Sequence, residues 1–224
     1  MPAPLLVFDL DGTLVDTAPD LVGTLNVVLA REGLPVVPYD DARAMIGGGA
    51  KAMLVRGLEA DGRAATPELM ERLFADFLAH YAGHIADRSR PFPGLTDALD
   101  ALADKGHRLA VCTNKLEGLS VQLLRALDLA GRFAAICGQD TFGIQKPDPE
   151  ILRRTIAAAG GATSAAIMIG DSETDIRTAR AAGIPVIAVD FGYSERPVAE
   201  FAPDRVISHF NQLPDEIASI SARF

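Results

Sequence analysis

The stretch Leu5-Leu-Val-Phe-Asp-Leu-Asp-Gly-Thr-Leu14 sets four apolar residues directly before two acids, Asp9 and Asp11, spaced two apart. A short apolar run without polar alternation is the pattern of a parallel strand covered on both faces. Acids at its carboxyl end fall where such sheets bind their ligands. In extended chain, residues i and i+2 face the same way, so both carboxylates are expected to address one site.

Taking that strand as Leu5–Leu10, five more candidate strands follow, most of them continuous apolar runs: Leu109–Thr113, Ala134–Gly138, Ala166–Gly170, Val186–Val189 and Arg205–Ile207. Helical patterns separate them at Gly94–Lys105, Leu116–Leu127, Pro149–Ala159 and Thr174–Ala182. "PDPE" (147–150) and "GDSETD" (170–175) carry acids where a first helical turn favours them, and "DKG" (104–106) and "AAG" (181–183) carry glycine stops. Strand alternating with helix predicts an α/β protein with a doubly wound, Rossmann-like parallel sheet. Between Thr17 and Arg90 the patterns are helical only: Leu21–Glu32, Ala42–Met45, Ala50–Ala60 and Pro67–His80. An all-helical domain of residues 17–90 is therefore expected inside a core of residues 1–16 and 91–224, with "RPFPG" (90–94) returning the chain.

The composition, 49% hydrophobic and 23% charged over 224 residues, is that of an ordinary globular protein. A net charge of -9 argues against a nucleic-acid partner, which needs a basic surface. No apolar run is long enough to span a membrane, and the first one ends at Asp9, too soon for a signal peptide. A cytoplasmic monomer or homodimer is the expectation. Cys112 and Cys137 lie in apolar runs and read as buried thiols.

Other strand ends are polar as well. They carry Thr113 and Asn114, Lys146 in a following loop, and Asp171 with Asp175 one helical turn later. Four acids converging on one lysine repel unless a cation sits among them, and oxygen ligands point to Mg²⁺. Such a site suits a phosphoryl group, an aspartate nucleophile and a second acid that moves protons. Other local patterns have plainer readings. His80 and His84 lack the acid of a zinc helix and read as a solvated face. "GGGAK" (47–51) has neither the spacing nor the strand of a phosphate loop, and Gly12 stands too early for a calcium loop over Asp9, Asp11 and Asp16. Leu69, Leu73, Phe74, Phe77, Leu78 and Tyr81 form a packing stripe.

"FDLDGTLVD" (8–16), "VCTNK" (111–115), "KPDP" (146–149) and "GDSETD" (170–175) resemble, in order and spacing, the four motifs of the haloacid dehalogenase-like hydrolase superfamily. The resemblance covers essentially the whole chain and makes the helical insertion a cap domain. It implies Asp9 as nucleophile, Asp11 as acid/base, and Thr113, Asn114 and Lys146 as phosphate binders. It also implies Mg²⁺ held by Asp9, the Asp11 carbonyl and Asp171, with Asp175 in support. "MIGGGAKAML" (45–54) and "FGYSE" (191–195) point within the family to a small phosphate monoester, 2-phosphoglycolate first, with Gly47, Gly48, Gly49 and Lys51 setting substrate choice. The alternatives are a phosphatase for a sugar phosphate, nucleotide or pyrophosphate, a phosphonate hydrolase, a phosphoglucomutase, and a phospho-receiver module without turnover. Asp11 disfavours a dehalogenase or phosphonate hydrolase, and the helical insertion disfavours the receiver.

Overall fold

Strand β1 (Leu5–Phe8) is central in a six-stranded parallel sheet. It lies between β4 (Leu109–Cys112) and β6 (Ala166–Gly170). Beyond β4 comes β5 (Ala135–Cys137), and beyond β6 come β7 (Val186–Val189) and β8 (Arg205–Ile207). The computed structural model describes residues 3–46 and 49–222. All six expected strands are present, and β6, β7 and β8 have the expected limits. One face of the sheet carries Val7, Ala110, Cys112, Met168 and Val186. They pack with Ile151, Leu152 and Ile156 of α7 (Pro149–Ala158) and with Ile176 and Ala179 of α8 (Glu173–Ala182). Cys112 and Cys137 sit opposite each other in register and both are buried free thiols, as the apolar runs foretold. Burial pushes the Cys112 thiol up to about 12, so it is no nucleophile.

Besides the loss of Thr113 from the end of β4 and of Ala134 and Gly138 from the ends of β5, three features depart from the sequence reading. β1 ends at Phe8 rather than Leu10, because the chain turns at Leu10 to bring Asp11 into a bridge with Val15. A two-residue antiparallel ribbon joins β2 (Val15–Asp16) to β3 (Arg90–Pro91). Two residues carry no periodicity, and Pro91 is tolerated because it lies in a two-stranded ribbon with no central strand. The helix of Leu213–Ser221 also went unread.

Two compact units result. One holds the described residues up to Asp16 and those from Arg90 onward; the other is Thr17–Ser89. The second contains α1 (Ala18–Arg31), α2 (Tyr39–Ala44), α3 (Gly49–Ala60) and α4 (Pro67–Gly83). Buried Asp20 of α1 ties its two chain ends together, accepting hydrogen bonds from Arg88 N, Ser89 N and Ser89 Oγ. Leu73, Phe77 and Tyr81 of the α4 stripe are buried. The solvated-face reading holds for exposed His84, which pairs with Asp87, but not for His80. α1 packs on α4, so the His80 ring meets the Thr24 hydroxyl at 3.0 Å and is half-buried.

Candidate active site

Asp9 follows β1 directly, and its backbone N–H still donates to Ile169 O of β6. This places its carboxylate beside Asp171 in the loop after β6 and Asp175 in the first turn of α8. Each of the three offers an oxygen within 4.8 Å of the others, and all are buried. Lys146 is the buried countercharge. Its Nζ donates to Asp175 Oδ1 at 2.6 Å and lies 2.8 Å from Asp9 Oδ1. The second contact is ionic but off the hydrogen-bond direction, so Asp9 Oδ1 remains a buried oxygen without a directed donor.

The neighbours fix each acid. Asp171 Oδ1 accepts from the Thr13 hydroxyl and Oδ2 from the Tyr193 N–H. Asp175 Oδ2 accepts from Ser172 N and Ser172 Oγ, while Ser172 Oγ accepts from Asp175 N. This reciprocal pair caps the start of α8. The first-turn acid read from "GDSETD" thus caps the helix and holds Lys146 at once. Gly192 lies flat against Asp171, and a Cβ there would fall 2.3 Å from the Asp171 Cβ.

Three carboxylates facing one ammonium leave an excess of two negative charges. Burial, with the charges of nearby acids, raises the Asp9 carboxyl to about 6 and the Asp171 carboxyl to about 8. Burial opposes the charge on Lys146, but Asp175 and Asp9 outweigh it and hold its ammonium above the ordinary lysine value. Among the described residues, this cluster fits a hard divalent cation in both donor type and charge.

Asp11 requires a correction. With the chain leaving the sheet after Phe8, the i, i+2 rule no longer applies, and its carboxylate is not in the three-acid cluster. It accepts instead from Lys115 Nζ through both oxygens, at 2.9 and 3.0 Å. The acids are shared between two lysines, and sequence reasoning missed the second although it closes the quoted "VCTNK". Asn114 also differs from expectation. Its amide grips the Lys146 backbone, donating to Lys146 O at 3.1 Å and accepting from Lys146 N at 2.8 Å. Its place is to hold the lysine loop beside Thr113 rather than to stand open to a ligand. Thr113 is buried at the end of β4, and its hydroxyl accepts from Lys115 N at 3.2 Å.

Gly47 and Gly48 lie outside the described residues. Gly49 opens α3, and exposed Lys51 on that helix holds its Nζ 4.8 Å from the centre of the Phe74 ring. A cavity of about 650 Å³ lies at the opposite, amino edge of the sheet, lined by Pro4, His107, Ala165 and Ile217 among others. None of the clustered acids reaches it, so it is not the site of their chemistry. Among the described residues no helix is long and apolar enough to cross a membrane.

Known proteins similar to this chain in sequence and fold are numerous. Phosphoglycolate phosphatase of Mesorhizobium japonicum is 50% identical over 218 residues, covering 97% of this chain and 96% of that one. The Caulobacter vibrioides protein of the same name is 48% identical, covering 93% of this chain and 88% of its own. A crystal structure described as a predicted phosphoglycolate phosphatase from Haemophilus somnus superposes with a TM-score of 0.88 at 27% identity. It covers 96% of this chain and 97% of that one. The profile of haloacid dehalogenase-like hydrolases matches residues 6–189, which include Asp9, Asp11, Thr113, Lys146, Asp171 and Asp175. By this match and by its relatives, the chain belongs to the haloacid dehalogenase-like hydrolase family.

Proposed function

We propose that the protein is a Mg²⁺-dependent phosphatase that hydrolyses a small phosphate monoester, 2-phosphoglycolate, through an aspartyl-phosphate on Asp9. The observation that carries this is the buried Asp9 carboxylate, held by Lys146 and facing Asp171 and Asp175. The shared name of the relatives at 42–50% identity supports the substrate.

Asp9, Asp171 and the Asp11 backbone carbonyl are the residues to hold Mg²⁺, with Asp175 in support. Bound there, the ion supplies Lewis-acid charge to the phosphoryl oxygens. Lys146 and the Thr113 hydroxyl bind the same oxygens and orient the phosphorus toward Asp9. An Asp9 oxygen attacks phosphorus as the bond to the alkoxide breaks, and the alkoxide takes its proton from the Asp11 carboxyl. Asp11, now a carboxylate, takes a proton from water. That water's oxygen attacks phosphorus and breaks the bond to Asp9, which releases phosphate and restores both acids. Lys146 keeps Asp9 oriented throughout.

Steady-state assay against 2-phosphoglycolate, sugar phosphates, nucleotides and p-nitrophenyl phosphate tests the reading, with and without a chelator. We expect Mg²⁺-dependent turnover with preference for 2-phosphoglycolate. Asp9→Asn should lose on the order of 10⁴-fold or more, as removal of other catalytic nucleophiles does. Wild-type turnover in excess chelator would overturn the metal assignment. A few per cent of activity left in pure Asp9→Asn would mean that water attacks directly.

A further inference from the structure

Lysine is seldom buried without a partner. The Lys115 side chain is only 6% exposed, and its ammonium meets both oxygens of Asp11, which is 19% exposed. The lysine stem is flexible, so holding its head in one place requires a fixed base. The structure supplies one. Lys115 N donates to the Thr113 hydroxyl, and Lys115 O accepts from Gln139 N at 3.2 Å. Two residues on, Glu117 N donates to Asp140 Oδ1 at 2.7 Å. Gly138 presses against this turn so closely that a Cβ would fall 2.4 Å from Lys115 O and 2.3 Å from Glu117 N. The turn after β4 is thus pinned to the turn after β5.

The same turn bears on both halves of the site. Asn114 grips the backbone of Lys146, the lysine that faces Asp9 and Asp175. Lys115 grips the side chain of Asp11. Thr113, Asn114 and Lys115 stand in succession: the Thr113 hydroxyl braces Lys115 N, Asn114 holds the Lys146 backbone and Lys115 holds Asp11.

We infer that Lys115 is a positioning residue for Asp11. By donating to both of its oxygens, Lys115 aims the carboxyl at the leaving-group oxygen and then at the hydrolytic water. The inference rests on the phosphatase reading above. It gives Lys115 no direct contact with the phosphoryl group, which belongs to Lys146 and Thr113. It also predicts where the loss will fall when Lys115 is removed. A poor leaving group needs a well-placed proton, and a nitrophenolate does not.

The test measures single-turnover phosphoryl transfer from 2-phosphoglycolate and from p-nitrophenyl phosphate in wild type, Lys115→Met, Lys115→Arg, Asp11→Asn and the Asp11→Asn/Lys115→Met double variant. Lys115→Met should slow 2-phosphoglycolate about 10²-fold, within the range of general-acid assistance, and p-nitrophenyl phosphate less than about tenfold. In the Asp11→Asn background the same change should cost no more than about twofold, because two residues acting through one group are not additive. Lys115→Arg, which keeps two donors, should recover most of the loss. If Lys115→Met does not fold, Lys115→Gln is judged by the same criteria. Equal slowing on both substrates, full additivity with Asp11→Asn, or a rise in KM with kcat unchanged would each overturn the role. These results leave the phosphatase reading intact, since that stands or falls on wild type and Asp9→Asn alone.

Discussion

Gly12 adopts φ +83°, and a methyl group there would lie 2.4 Å from Asp171 Oδ2 and 2.8 Å from the Tyr193 ring. Both backbone and space demand glycine, since non-glycine residues in this region cost about 1–3 kcal/mol. Gly12→Ala should leave far-ultraviolet circular dichroism unchanged while pushing Asp171 out of place. Mg²⁺ affinity by calorimetry should fall by about tenfold or more, by analogy with other changes around metal ligands. Unchanged affinity would mean that Asp171 relaxes freely or does not bind the ion. At this scale the sequence was most legible where chemistry sits at strand ends. Asp9, Lys146, Asp171 and Asp175 were identified there, and their charged groups meet in one cluster. Asn114 and Lys115 were misjudged or missed for a different reason. Their partners, the Lys146 backbone and the Asp11 carboxylate, are distant in sequence, and nothing local marks such a pairing.

Elements transmit that precision. Helix α8 starts at the Ser172–Asp175 capping box, and the capping acid is also the partner of Lys146. Ser172→Ala should remove a cap and one restraint on Asp175. A stability loss of about 1 kcal/mol is expected, seen as a fall in Tm of about 2–4 °C for a chain of this size. The kcat should fall as well, because Lys146 loses a fixed anchor. Ser172→Ala with full kcat would confine Ser172 to capping. Continuous apolar runs made the four inner strands β1, β4, β6 and β7 readable, since burial on both faces leaves no room for polar alternation. The β2–β3 ribbon was not readable. It is set by where residues 15–16 and 90–91 meet in space.

Across the molecule, the clustered acids tie stability to pH. The Asp171 carboxyl is raised to about 8 and Asp9 to about 6, both from 3.8. In that interval the folded chain binds protons that the unfolded chain has released, so stability is lost as pH rises. In chelator, Tm should therefore be highest at about pH 4 or below, as far as these groups decide it, and should fall toward pH 8. Mg²⁺ should reverse the trend by taking the protons' place, with its largest gain at the alkaline end. A chelated protein whose Tm rises steadily from pH 5 to 8 would contradict the buried-acid picture. The central position of β1 bears on synthesis. Both of its neighbours, Leu109–Cys112 and Ala166–Gly170, are translated long after it. At ordinary translation rates its two edges wait roughly ten to thirty seconds for a full complement of partners. During that wait, an apolar strand with open edges can pair with other chains, which makes the nascent polypeptide a natural client for chaperones. The helical unit Thr17–Ser89 makes its contacts locally and can be complete before β4 has left the ribosome. A messenger truncated ahead of the β6 codons would yield a chain that lacks Asp171 and Asp175 and leaves at least one edge of β1 open, fit for degradation rather than catalysis.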